Sequence, residues 1–68
     1  MYYLIEISET ATGTAKAITE KASRTEAKMA LHQTFASAMA NNAVDSCLCI
    51  VIDAHGATQA YEYWQREA

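Results

Sequence analysis

The most apolar stretch of the chain runs from Ser46 to Asp53, and its six residues 47–52 include no polar side chain. A strand with one face in water alternates apolar and polar residues, and this stretch does not alternate. We therefore expect a central strand whose two faces both need cover. Its side chains should divide between the faces as Cys47, Cys49 and Val51 on one side and Leu48, Ile50 and Ile52 on the other.

Shorter alternating patterns predict three further strands. Residues 2–8 form the first, and a turn at Gly13 leads into a return strand over 14–21 whose small and charged residues suit a sheet edge. A second hairpin follows the central strand, with Gly56 at a positive-φ position of its loop and a final strand over about 57–64. The polar tail 65–68 should fray.

A helix is predicted between the two hairpins. Ser23 and Glu26 have the spacing of a capping box, and the helical pattern continues to about Asn41, which we expect to end it in the left-handed conformation. One broad face of this helix carries Ala27, Ala30, Leu31, Thr34, Phe35 and Ala38. Met29, Ala36 and Ala40 fall on another face, and they represent either simple helix propensity or a second contact surface.

These elements predict an α+β fold in the order ββαββ, as a single domain over residues 1–68. The sheet should be four-stranded and antiparallel, in the order 2-1-3-4, with the helix packed on one face. Matching large side chains with large, we expect Leu31 and Phe35 to cover the face formed by Tyr3, Ile5, Ile7, Leu48, Ile50 and Ile52.

The opposite face would then be uncovered, and an exposed apolar patch usually marks an interaction site. The predicted interaction face consists of Tyr2, Leu4, Cys47, Cys49, Val51, Tyr61, Tyr63 and Trp64. A homodimer through this face is the simplest solution, because symmetric dimers are the commonest soluble assemblies. Another protein is the other possible partner.

Composition narrows the function classes. The net charge of −3 argues against broad binding to nucleic acid, which requires many lysines and arginines. No apolar run approaches the ~20 residues of a membrane span, and the first residues do not resemble a signal peptide. We therefore expect a cytoplasmic protein with reduced thiols.

Cys47 and Cys49 are the residues best suited to metal or enzymatic chemistry, and Asp53 and His55 lie close by in sequence. Structural zinc sites usually take cysteine pairs with wider spacing, on turns. A spacing of one residue inside a strand is more typical of small buried hydrophobes. We therefore predict a non-enzymatic protein with no metal and no cofactor.

Two other functions stay open as alternatives. Lys21, Arg24 and Lys28 could cluster near the helix start and, with exposed tyrosines, serve a nucleic-acid-binding accessory factor. The acidic balance also fits an inhibitor of a nucleic-acid enzyme, although the charge is weak for that role.

The chain as a whole resembles the small uncharacterised proteins found in bacterial genomes and mobile elements. The resemblance rests on the start Met1-Tyr2-Tyr3-Leu4-Ile5, the capped alanine-rich helix and the closing Tyr61-Glu62-Tyr63-Trp64. It implies a bacterial accessory protein of the cytosol, and it assigns no functional residue.

Overall fold

A computed structural model describes residues 1–67 and shows two hairpins joined by a helix. The elements are β1 (Tyr2–Thr10), β2 (Gly13–Lys21), α1 (Arg24–Ala40), β3 (Val44–Asp53) and β4 (Thr58–Gln65). All strand pairs are antiparallel, and the sheet order is β2-β1-β3-β4. The predicted ββαββ fold and strand order are confirmed. Ala68, at the end of the predicted polar tail, lies outside the described residues.

The start of α1 follows the sequence prediction, whereas its end does not. The Ser23 side chain accepts a hydrogen bond from the backbone N–H of Glu26 at 3.1 Å, as in a capping box. Asn41 ends the helix in an extended conformation, with φ −91°, so the predicted left-handed asparagine is wrong. Its Oδ1 atom instead accepts from the N–H of Ala43 at 3.0 Å, which turns the chain toward β3.

Arg66 belongs to the folded structure, and the prediction that the tail frays is wrong at this residue. Its backbone N–H donates to the backbone carbonyl of Asp45 at 2.8 Å. Its guanidinium donates to the carbonyls of Val44, Met39 and Asn41 at 3.1, 3.3 and 3.0 Å. A cation at the C-terminal end of a helix satisfies free carbonyls and complements the helix dipole. Arg66 therefore ties the end of β4 to the end of α1.

The core lies between α1 and the sheet face opposite to the predicted one. Its buried apolar residues are Leu4, Ala27, Leu31, Ala38, Val44, Cys47, Cys49 and Val51, with Tyr2, Ala30, Phe35, Ala60 and Trp64 packed against them. Cys47, Cys49 and Val51 are fully buried. The helix thus covers the cysteine face, and Leu48, Ile50 and Ile52 point away from it.

Side-chain size explains this correction. The helix face that meets the sheet is lined largely by alanines, and Ala27 is fully buried. Such a helix can approach the strand backbones closely, and a close approach requires short strand side chains such as cysteine and valine. On β3, leucine and isoleucine in place of the cysteines and valine would hold the helix further from the sheet. The prediction matched large side chains with large, while the fold packs the alanines of α1 over Cys47, Cys49 and Val51 and includes Leu31 and Leu4 in the same core.

The β3–β4 loop is organised by one carboxylate. Asp53 Oδ1 accepts from the backbone N–H groups of His55 and Ala57 at 2.8 and 2.9 Å. Gly56 has φ +88°, as predicted for this loop. The hydrogen bonds from Ala57 and His55 hold the pKa of Asp53 below its usual value of 3.8.

Replacing either Val51 or its neighbour Ile50 with aspartate tests which face of the sheet the helix covers. Val51→Asp places an unpaired carboxylate under the helix at a cost of several kcal/mol, which is comparable to the whole stability of a domain this small. We expect this variant to be unfolded by circular dichroism. Ile50→Asp should retain the native spectrum, because Ile50 lies on the other face. A folded Val51→Asp protein together with an unfolded Ile50→Asp protein would show that the helix covers the other side.

Asp53 should contribute to stability against acid. Because its pKa is lower in the folded state, its contribution is present above the usual value of 3.8 and is lost as the pH falls through the folded-state pKa. Asp53→Asn keeps an oxygen acceptor but has no charge to titrate. In urea titrations, the variant should lose less stability on acidification than the parent chain. An unchanged acid dependence would mean that the folded and unfolded pKa values of Asp53 are the same.

Candidate interaction face and thiol cluster

The sheet face turned away from α1 is almost continuously apolar. Strand register sets Ile18, Ile5, Ile50 and Tyr61 side by side across the four strands. Ile7, Leu48 and Tyr63 form the next row, and Tyr3 and Ile52 are paired on the other side of the first row. We call this surface the open face. It comprises Tyr3, Ile5, Ile7, Ile18, Leu48, Ile50, Ile52, Tyr61 and Tyr63.

Exposure on the open face increases from its centre to its edges. The open-face side chains of β1 and β3 are half-buried by their neighbours within the sheet. Ile18 on β2 is 71% exposed, and Tyr61 and Tyr63 on β4 are 59% and 52% exposed. A shallow apolar depression of about 370 Å³ lies beside Ile18, between Ile5 and Ile7. Large apolar groups that remain in water across four strands form a contiguous patch, which is typical of an interaction surface.

Charged side chains on this side of the sheet lie at its perimeter. Lys16 and Glu20 flank Ile18 on the edge strand β2, and Glu9 follows at the end of β1. An apolar centre with a polar rim is the usual arrangement of a protein interface.

The residues predicted for the interaction face divide between the two sides of the sheet. Tyr61 and Tyr63 do lie on the open face. Leu4, Cys47, Cys49 and Val51 are buried under the helix, so their assignment to an uncovered face is wrong. Tyr2 and Trp64 pack against the core, and the Arg66 guanidinium lies 4.7 Å from the centre of the Trp64 ring.

The isoleucines of β1 and β3 were predicted to lie under the helix, so their position on the surface was not anticipated. Ile18 was missed because β2 was interpreted only as a polar edge. Its position in an alternating strand, between Lys16 and Glu20, was the available signal.

The helix side of the sheet brings the two cysteines together with two polar residues of β1. Register pairs Glu6 with Cys49 and Ser8 with Cys47. The two sulfur atoms are 3.7 Å apart, and the Ser8 hydroxyl donates to the Cys47 sulfur at 4.0 Å. A Glu6 carboxylate oxygen and both sulfurs all lie within 4.8 Å of one another. We call Glu6, Cys47 and Cys49 the thiol cluster.

The thiol cluster strongly favours protonated sulfur at Cys49. Burial is the main cause that raises the pKa of this thiol to about 12, and the hydrogen bond with Cys47 adds to it. The charges of Cys47, Glu6 and Glu62 act in the same direction. A thiol held in this form is a poor nucleophile, because the thiolate is the reactive species.

A polar groove gives access to the thiol cluster from one end of the helix. It has a volume of about 350 Å³ and is lined by Glu6, Ser8, Gln33, Thr34, Ser37, Ala38, Asn41 and Val44. Glu6 is only half-buried, so it connects the groove with the buried sulfurs.

The other residues considered for metal or acid–base chemistry lie elsewhere. His55 is exposed, as is the second histidine of the chain, His32 on α1, and Asp53 is engaged in its own loop. Over residues 1–67, neither histidine nor Asp53 joins the thiol cluster. Glu6 is the residue that the sequence analysis missed. Its alternation with Leu4 and Ser8 on β1 was the available signal.

The fold and these surfaces define a small ββαββ domain with one covered and one open sheet face. Comparison with models of known families, with curated proteins and with solved structures finds no match. No helix within residues 1–67 has the length and apolar character needed to cross a bilayer.

Both thiols should resist alkylation in the native protein. Cys47 and Cys49 are fully buried, and the raised pKa of Cys49 leaves little thiolate there at mildly alkaline pH. We expect slow labelling by iodoacetamide in buffer and rapid labelling of both residues in denaturant, followed by mass spectrometry. Equal labelling rates in the two conditions would show that the cysteines are on the surface.

Proposed function

We propose that this chain is a non-enzymatic protein-interaction module that associates as a homodimer through its open face. The observation that supports the proposal is the unbroken apolar surface across all four strands, on the side of the sheet that α1 leaves uncovered. Removing such a surface from water is the main driving force of association.

The size of the open face suits a stable dimer. The longest and intermediate dimensions of the molecule are 36 and 18 Å, which set the upper limit for the footprint of its sheet. Its area is on the order of the ~800 Å² per partner that specific interfaces bury. Packing two such sheets face to face would produce a helix–sheet–sheet–helix sandwich, in which both sides of every sheet are covered.

The charges around the open face also suit a second copy of the same chain. In a two-fold symmetric dimer, each edge of the open face meets either the same edge or the opposite edge of the second copy. The β2 edge carries both signs, because Lys16 and Glu20 flank Ile18. Two copies can therefore pair opposite charges at the rim, and no like charges need to be buried at the apolar centre.

The proposal includes a cytoplasmic setting. Cytoplasmic proteins keep their cysteines as free thiols, the form in which Cys47 and Cys49 pack here.

Nucleic-acid binding receives less support. Arg66, one of the five lysines and arginines, is engaged with the helix end. Lys16 lies at the rim of the open face, away from the helix start. Few cations are then left to neutralise phosphates.

Substitution at exposed positions of the open face tests the dimer. Ile18→Asp and Tyr61→Asp replace residues that are 71% and 59% exposed, so both variants should fold. They place carboxylates in the proposed interface, and we expect sedimentation equilibrium to show a dimer for the parent chain and monomers for both variants. The dissociation constant should rise by at least about tenfold, the ratio that corresponds to 1.4 kcal/mol.

Met29→Asp is the matched control. Met29 is 56% exposed on the helix, so the variant introduces the same charge at a similar exposure away from the open face. It should remain dimeric. A parent chain that is monomeric at high micromolar concentration, or a dimer that only Met29→Asp dissociates, would contradict the proposal.

A further inference from the structure

The thiol cluster has the composition of a metal site. Two sulfurs and one carboxylate oxygen converge from two neighbouring strands, and each belongs to a residue type that binds Zn²⁺ in proteins. The convergence is set by the antiparallel register, because Glu6 lies directly opposite Cys49. Cys47 reaches the same point because alternate residues of a strand share a face.

The distance between the sulfurs agrees with tetrahedral zinc coordination. Two sulfurs that each lie ~2.3 Å from a tetrahedral ion are about 3.8 Å apart, and the distance between Cys47 Sγ and Cys49 Sγ is 3.7 Å. The Glu6 carboxylate oxygen lies within 4.8 Å of both sulfurs, and it must approach them further to complete a three-ligand face.

The surroundings provide support and access for an ion. The Ser8 hydroxyl donates to the Cys47 sulfur, as outer hydrogen bonds commonly do around bound metals. The polar groove reaches Glu6 and Ser8 from solvent, so an ion can meet the Glu6 carboxylate next to the buried sulfurs. The same groove leaves room for water as a fourth ligand.

We propose that Cys47, Cys49 and Glu6 bind one thiophilic divalent cation of the Zn²⁺ type, with its fourth position directed to the polar groove. The cation displaces the two thiol protons to solvent as it binds, because the thiolate is the metal ligand. The site lies on the helix side of the sheet, and the open face lies on the other. Metal binding and dimer formation can therefore be tested separately, and either can fail without the other.

Cadmium is the probe for this site, because cadmium–thiolate bonds give a strong ultraviolet charge-transfer band. We expect the reduced, folded protein to bind one Cd²⁺ per chain with this band, and a large excess of Zn²⁺ to displace the cadmium and abolish the band. Cys49→Ser should lose the band. Glu6→Gln should keep a weaker band, with affinity reduced by at least about tenfold.

Glu62→Gln is the matched control. Glu62 also neighbours Cys49 across the sheet, but it is exposed and is not part of the thiol cluster. The Glu62→Gln variant should keep a Cd²⁺ affinity within about threefold of the parent chain, well short of the tenfold effect expected for a ligand. Circular dichroism of each variant distinguishes the loss of metal binding from the loss of the fold. Glu6→Gln changes a half-buried side chain and should leave the core intact.

Three results would overturn the proposal. They are the absence of a charge-transfer band at up to millimolar Cd²⁺, a band that appears only in denaturant, and equal Cd²⁺ affinity in the parent chain and Glu6→Gln. The first two mean that the paired sulfurs serve only as packing. The third removes the carboxylate from the site.

Discussion

The close approach of an alanine-lined helix to the sheet is the contact on which the rest of this structure depends. Ala27 and Leu31 are buried in one cluster with Cys47, Cys49 and Val51 of β3 and Leu4 of β1. Dense packing of this kind depends on matching the alanines of the helix with the short side chains of β3. The large side chains of β1 and β3 are then directed to the opposite side, where the sheet is left without cover.

The same contact separates two kinds of chemistry on the two sides of one sheet. On the helix side, register joins Glu6 and Ser8 to the paired cysteines beside a polar groove. On the open face, register lines up isoleucine, leucine and tyrosine across four strands. Successive residues of β1 and β3 therefore serve different surfaces. Arg66 secures the arrangement by tying the last strand to the helix end through backbone carbonyls.

Local signals were sufficient to predict the element order and the strand order. The alternating patterns, the two glycine turns and the Ser23 cap each act over a few residues, and each is confirmed. The covered face could not be obtained in this way, because alternation defines two faces but does not say which one meets the helix. That choice depends on three-dimensional packing. It also depends on the handedness of the crossover from β2 through α1 to β3, since parallel crossovers are almost always right-handed.

Prediction of the candidate sites was limited in the same way, because contacts between distant parts of the chain do not follow from local sequence signals. Tyr61 and Tyr63 were expected on an uncovered surface and are exposed, but Trp64, which was predicted beside them, packs against the core. The role of Arg66 was missed, since its partners Met39 and Asn41 are far away in sequence. Glu6 was missed as a neighbour of the cysteines for a different reason. Its pairing with Cys49 follows from strand register, which the sequence analysis did not derive.

The central claim is that α1 packs on the cysteine face, and methyl nuclear Overhauser effects measure it most directly. The account predicts contacts between the methyl groups of Ala27 or Leu31 and those of Val51. It also predicts no contact between α1 methyl groups and Ile5 or Ile50. Strong effects from Leu31 to Ile5 or Ile50, with none to Val51, would contradict it and would exchange the covered and open faces of the sheet.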